Sequence, residues 1–275
     1  ELHQMTDEIF GLYSELYEIA CKEDDTRLKT FADNQFYGRF LELPADVVGY
    51  NRYFGWYKDA GSAENFGEWL DLYHNEKEKR PVCLSEYGGG GAISQHKDNV
   101  NWESDIDPVG VRHYENYQSQ LHEILWKQFS VRKYLWAEFI WCMFDFASYG
   151  RTEGDTKSQN DKGLCTRERI PKDVYFFYKS VWSGEKTVYI TERRHEFRAC
   201  DVPFVKVYSN ADAVELCIND VSHGRISRCE LPDDESTVFV WENIKIKPGT
   251  KNKICAKAYF SDGTSRTDYA FWTGK

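Results

Sequence analysis

The sequence predicts an α/β fold in two parts, the second half of an eight-stranded (β/α) barrel followed by an all-β sandwich. Three observations carry that reading. Helical and strand patterns alternate with short links through the first 180 or so residues, which implies parallel strands joined by crossovers. Only about four strands can be counted there, whereas a closed barrel of this kind needs eight. After Trp182-Ser183-Gly184 helical periodicity stops, and short strand patterns separated by Asn, Asp, Gly and Pro fill the remaining ninety or so residues. The domain boundary is therefore set at 184, with 1–184 as the barrel half and 185–275 as the sandwich.

The elements follow in order. Thr6-Asp7-Glu8 puts a capping residue and two acids ahead of Ile9, Phe10, Leu12, Tyr13, Leu16, Tyr17 and Ile19, so a helix is expected to about Cys21. Leu28 to Ala32 and Asp46 to Tyr50 read as strands, the second followed by the aromatic run Asn51-Arg52-Tyr53-Phe54-Gly55-Trp56-Tyr57. Phe66, Trp69, Leu70 and Tyr73 share a helical face. A helix over about 111–129 presents Tyr114, Tyr117, Leu121, Ile124 and Leu125, and Leu135 to Trp141 is the next strand. In the sandwich, strands are expected at 188–191, 205–208, 214–218, 238–241 and 254–259.

The chain is organised around Pro81-Val82-Cys83-Leu84-Ser85-Glu86-Tyr87-Gly88-Gly89-Gly90-Gly91. A short apolar strand ends in a carboxylate where a glycine run begins. In a barrel, that carboxyl end of a strand is where reacting groups gather, and glycines let backbone approach a ligand. A turn-capping Glu is the plainer alternative.

Composition narrows the class. Aromatics make up 16% of the 275 residues, with nine Trp and eighteen Tyr. Their faces stack on sugar rings as well as filling cores. A net charge of −10 and the lack of a Lys/Arg-rich run argue against nucleic acid and anionic membrane as partners. No apolar stretch approaches the length of a membrane span. Eight cysteines are scattered without CxxC spacing or companion His pairs. They read as reduced thiols, which favours a reducing, cytoplasmic setting, although an even count permits disulfides.

Four motifs then stand in one order: Asn51 to Tyr57, Ser85-Glu86-Tyr87-Gly88, Trp141-Cys142-Met143-Phe144-Asp145-Phe146, and Asn160-Asp161-Lys162-Gly163-Leu164. Together with Pro171-Lys172-Asp173 to Trp182, they resemble glycoside hydrolase family 2 over residues 1 to about 182. The phrase Met143 to Ser148 with Arg151 and Glu153-Gly154 resembles the β-galactosidase branch. Residues 185–275 resemble the immunoglobulin-like domain that follows the barrel in such enzymes.

Retaining cleavage of a glycoside requires one carboxylate to attack the anomeric carbon and a second carboxyl to protonate the leaving oxygen, about 5–5.5 Å away. By resemblance Glu86 is the nucleophile. Glu1, ahead of the first helix and 85 residues upstream of Glu86, is the acid/base candidate, by spacing and the following helix, since the Asn that precedes it in the family is not in this chain. On that reading the chain begins at the active site, needs the N-terminal remainder of the enzyme and is inactive alone. Tyr53 resembles the family tyrosine that hydrogen-bonds the nucleophile. Trp141 is expected as the floor of the sugar pocket and Asp145 as an acceptor for sugar hydroxyls, with Asn51 and Tyr57 as weaker pocket candidates. Core aromatics and a loop cap are the alternatives.

Where some members carry a His three residues after the nucleophile, this chain has Gly89. No cofactor is expected and no metal ligand is assigned. Some members bind Mg²⁺ near the acid/base, but this chain does not decide that. A homo-oligomer is compatible with the reading.

The expected function is a retaining enzyme releasing terminal β-D-galactose through a covalent glycosyl-enzyme intermediate. Alternatives are a β-glucuronidase of the same family and a carbohydrate-binding relative without turnover. Asn160 and Lys162 resemble the pair with which β-glucuronidases hold a substrate carboxylate. Asp161 and Asp155 beside them would neutralise the lysine, which favours galactose.

Overall fold

A computed structural model describes residues 5–35, 38–231 and 237–275. Its contacts divide the chain into two units, 1–89 with 124–142, and 90–123 with 143–275.

The first unit is built on a four-stranded parallel sheet. Helix α1 (Asp7–Glu23) starts where the Thr6 hydroxyl accepts the Ile9 N–H at 3.2 Å. Its Ile9, Phe10, Tyr13 and Tyr17 are half-buried, whereas Leu12, Leu16 and Ile19 stay about half exposed, so the amphipathic pattern buries only one of its two apolar stripes. Strands β1 (Ala32–Asp33), β2 (Val48–Asn51), β3 (Val82–Tyr87) and β4 (Leu135–Ile140) pair in that order, all parallel. The first strand is shorter and later than expected; Leu28 is exposed and lies outside it. Every residue of β2 and the first three of β3 are buried, the continuous burial that an inner parallel strand requires. Gly49 is obligatory there, because a Cβ would lie 2.9 Å from Ser85 Cβ and 3.1 Å from Cys83 Sγ.

Helix α2 (Phe66–Glu76) links β2 to β3 and buries Phe66, Leu70 and Tyr73. Phe66 stacks on Phe54 at 4.3 Å and meets Phe129 edge-on at 5.2 Å. Phe129 in turn packs edge-on to Tyr87 at 5.0 Å, directly after the carboxylate of β3. The aromatic richness of this region is thus spent on fixing the strand that carries Glu86.

The second unit begins with the glycines after β3, a short helix α3 (Trp102–Asp105) and the first turns of α4 (Glu115–Ser130). A two-stranded ribbon, β5 (Phe146–Ala147) with β6 (Gln159–Asn160), precedes helix α5 (Asp173–Trp182). After α5 the described residues form strands and one short 3-10 turn, Arg228–Glu230. A five-stranded sheet combines β11 (Val221–Ser227), β10 (Ala213–Ile218), β13 (Lys251–Tyr259), β14 (Ser265–Gly274) and β8 (Phe197–Arg198) in that order. A three-stranded sheet combines β12 (Val238–Lys245), β9 (Asp201–Ser209) and β7 (Val188–Ile190). Their inner faces meet through Val205, Val207, Leu216, Phe239, Ile254 and Trp272, a sandwich core. Strands β8, β11 and β14 are additions to the expected set; β11 is mostly exposed and offers no alternation to read.

Buried charge ties α4, α5 and the β7–β8 turn together. Fully buried Glu115 accepts the Asp173 N–H at 3.0 Å and the Arg194 guanidinium at 2.6 Å on one oxygen, with His96 Nε2 at 2.9 Å from the other. Asp173 accepts the Tyr189 hydroxyl at 2.6 Å, and burial pushes its carboxyl up to about 6, with the Glu115 charge adding to the shift. None of the eight cysteines is in a disulfide.

Candidate active site

The C-terminal ends of β2, β3 and β4 carry the first cluster. Glu86 is the fifth residue of β3 and pairs in register with Asn51, the last residue of β2. The Tyr53 hydroxyl donates to Glu86 Oε2 at 2.5 Å, a charge-assisted bond that orients the carboxylate and favours its ionised form. The Arg52 N–H donates to the Glu86 carbonyl at 2.9 Å, so the chain after β2 is tied to the nucleophile candidate from both sides of the peptide. Tyr57 sets its ring edge-on to Tyr53 at 5.4 Å.

Asn51 is buried, and its side-chain carbonyl accepts the Ser85 hydroxyl at 2.8 Å. That bond fixes the amide so that its NH₂ faces away from Ser85 as a donor. Ser85 went unnoticed in the sequence because a strand serine carries no chemical signal until its cross-strand neighbour is known. Trp141 follows β4, half-buried, and its N–H donates to the Tyr87 carbonyl at 3.0 Å; the Trp141–Cys142 peptide is cis. Glu138, inside β4, is a second residue the sequence reading passed over; burial raises its carboxyl above the ordinary range. Glu1 lies outside the described residues.

A second cluster belongs to the other unit. Asp145, Asn160 and Lys162 are brought together by the β5–β6 ribbon, in which Phe146 pairs with Asn160. All three are at least 95% buried. Asp145 Oδ1 accepts the Lys172 ammonium and the Gly163 N–H, both at 2.8 Å, while Oδ2 accepts no hydrogen bond among the described residues. Burial pushes the Asp145 carboxyl up to about 6 against the pull of Lys172. Lys172, wholly buried, also donates to the Asp161 carbonyl at 2.8 Å.

The loop itself is locked. Asn160 Oδ1 accepts the Lys162 N–H at 3.0 Å, an Asx turn. The Asp161 carboxylate lies 2.7 Å from His113 Nδ1 through Oδ2. Burial alone pushes that carboxyl up, but the His113 bond and charge, then Lys172 and Lys162, hold it below the usual range. Asp155 accepts from the Ser94 and Thr156 hydroxyls. Gly163 admits no side chain, because a Cβ would lie 2.2 Å from the Asp145 nitrogen and 2.4 Å from the Cys165 oxygen. His113 and Lys172 were missed in the sequence; their partners lie 48 and 27 residues away.

Among the described residues, Asp98, Glu192 and His195 bring potential metal ligands within 4.8 Å of one another. Arg198 already lies there, pairing with Asp98 and standing 3.0 Å from Glu192, so the charge a metal would supply is present as a guanidinium.

Residues 11–187 match the family described as glycosyl hydrolases family 2, TIM barrel domain, and residues 202–266 match a domain of unknown function, DUF4982. A β-glucuronidase of Bacteroides fragilis is 35% identical over 251 residues, covering 90% of this chain and 34% of that protein. A putative β-glucuronidase of Formosa agariphila is 28% identical over 274 residues, covering 91% of this chain and 32% of that protein. Among solved structures, an FMN-binding β-glucuronidase from Facaelibacterium prausnitzii L2-6 superposes with a TM-score of 0.84 at 32% identity, covering 98% of this chain and 39% of that one. A putative β-galactosidase from Bacteroides fragilis gives 0.88 at 28% identity, covering 100% and 40%. The chain spans about a third of the length of the curated relatives it matches.

Proposed function

Because the chain belongs to glycosyl hydrolase family 2, we propose that it carries the nucleophile half of a retaining β-glycosidase, with Glu86 attacking the anomeric carbon. The observation that carries this reading is the 2.5 Å bond from Tyr53 to Glu86 at the carboxyl end of a parallel strand. A phenol donor keeps the carboxylate ionised and aims its other oxygen, which an attacking group needs and a buried structural glutamate does not.

In the first step a bond forms between a Glu86 oxygen and the anomeric carbon while the bond to the leaving oxygen breaks. The leaving oxygen takes its proton from the second carboxyl, for which Glu1 is the proposal. Water then attacks the glycosyl-Glu86 ester, giving its proton back to that second group. Trp141 is proposed to stack on the sugar, and the Asn51 amide, oriented by Ser85, to donate to a ring hydroxyl.

For the sugar we propose a β-glucuronide, which revises the galactose expected from the sequence. Lys162 and Asn160, held in one Asx turn, bring together a cation and an amide, the pair that a carboxylate requires. Relatives named β-glucuronidase at 35% and 32% identity support the same substrate. A galactoside is the second reading, favoured by the 28% likeness to a putative β-galactosidase.

Two measurements on the full-length protein test this. A 2-fluoro glycoside should label Glu86; label on another carboxylate would overturn the nucleophile. kcat/KM should favour aryl β-glucuronide over aryl β-galactoside, and Lys162→Ala should collapse that preference. A preference for galactoside, unmoved by the substitution, would assign the second substrate.

A further inference from the structure

The outer face of the five-stranded sheet does not look like the rest of this acidic chain. Alternation along β14 sends Ala270 and Trp272 into the sandwich core and Tyr269 and Phe271 outward, 48% and 46% exposed. Strand β8 adds a third ring on the same face, since Phe197 pairs with Thr273 and is 57% exposed. Each ring has a lysine over it. Lys253 Nζ lies 5.4 Å from the Tyr269 centroid, Lys251 Nζ 4.8 Å from Phe271, and Lys275 Nζ 5.7 Å from Phe197. Lys253 pairs with Asp220 at 2.9 Å, whereas Lys251 and Lys275 have no carboxylate partner among the described residues.

We propose that this face binds an acidic, uronate-bearing glycan chain, outside the catalytic site. Rings in a row on a flat sheet offer stacking to the C–H faces of successive sugar units. Tyr269 and Phe271 stand about 6.6–6.8 Å apart along the strand. The long-stemmed lysines that lie over those rings supply charge for carboxylates carried by the same sugars. The lysines select an anionic occupant: on a chain of net charge −10, three of them lie here, each with an aromatic ring. A neutral glycan would need the rings and leave the lysines unused. The inference holds whichever monosaccharide the enzyme releases.

The test uses the full-length protein with a hyaluronan octasaccharide as acidic probe and cellohexaose as neutral probe, followed by titration calorimetry. The acidic probe should bind more tightly, and its affinity should fall as salt rises. Phe271→Ala and Tyr269→Ala should each weaken it by about 2- to 13-fold. Lys251→Ala should flatten the salt dependence. Turnover of a small aryl glycoside should stay unchanged in all three, which also reports that each variant folds. Unchanged affinity in both ring variants, or equal binding of the neutral probe, would overturn the proposal. So would self-association of the protein that both ring variants abolish, because that would make the face a contact between copies. Catalytic-site failure is distinguishable, since it alters turnover while leaving the ring-variant effect on binding intact.

Discussion

Replacing Lys172 by Met should cost stability in a manner that depends on pH. Methionine keeps the unbranched stem and removes the ammonium. Lys172 is wholly buried, and its Nζ donates at 2.8 Å to both Asp145 Oδ1 and the Asp161 carbonyl. Without it, a 4%-exposed carboxylate retains only the Gly163 N–H. Breaking a buried pair by removing one partner costs about 3–5 kcal/mol. The Asp145 carboxyl already stands at about 6 because burial outweighs the lysine. A group raised in the folded state contributes most below its unfolded value, and that contribution is lost as pH rises through the folded value. Removing the lysine raises the carboxyl further, so the variant loses more across the neutral range than the parent does. At pH 5 Asp145 is largely protonated in the variant, and the penalty shrinks toward the lost hydrogen bonds, about 1–3 kcal/mol. Asp173, also at about 6, titrates in parent and variant alike and cancels in the difference. Urea unfolding followed by tryptophan fluorescence at pH 5 and 7.5 measures both values. Equal losses at the two pH values would refute the ion pair as the cause.

Tyr53→Phe should lower kcat of the full-length protein by about 10- to 150-fold, the worth of a hydrogen bond to a charged group at about 1.5–3 kcal/mol, with KM little changed; an unaltered kcat would remove Tyr53 from the mechanism. Glu86→Gln should lower turnover by several powers of ten while sugar binding persists, checked by single-turnover kinetics and ligand titration. Gly163→Ala should destabilise by at least about 1–3 kcal/mol, because its methyl would meet backbone at 2.2 Å, and a melting temperature within a degree of the parent would count against that geometry. Arg194→Ala should cost about 3–5 kcal/mol by leaving fully buried Glu115 without its guanidinium, read from the same urea series.

The amino-acid sequence by itself determined the kind of protein and the placing of its nucleophile candidate. A period-2 or continuously apolar run beside an amphipathic helix is a local signal, and so is a carboxylate where β3 meets a glycine run. Those signals located α1, β2, α2, β3, α4 and β4, and put Glu86 at a strand end, because strand and helix burial are written in residues two, three or four apart. The pattern was also readable at Trp182, where helical spacing ceases. What only the tertiary structure decided are the relations between distant residues. Ser85 aims Asn51 from 34 residues away, and Lys172 reaches Asp145 across 27. Both are short-range contacts created by strand pairing and ribbon closure, and no local pattern encodes them. The clearest case is Asp161. Adjacent in sequence to Lys162, it reads as that lysine's counter-ion. In the fold the carboxylate bonds His113, 48 residues away, while Lys172 and Lys162 also act on its charge. A partner that far along the chain is set by closure of the fold, so the charge balance of this loop follows from its tertiary contacts and not from its composition alone.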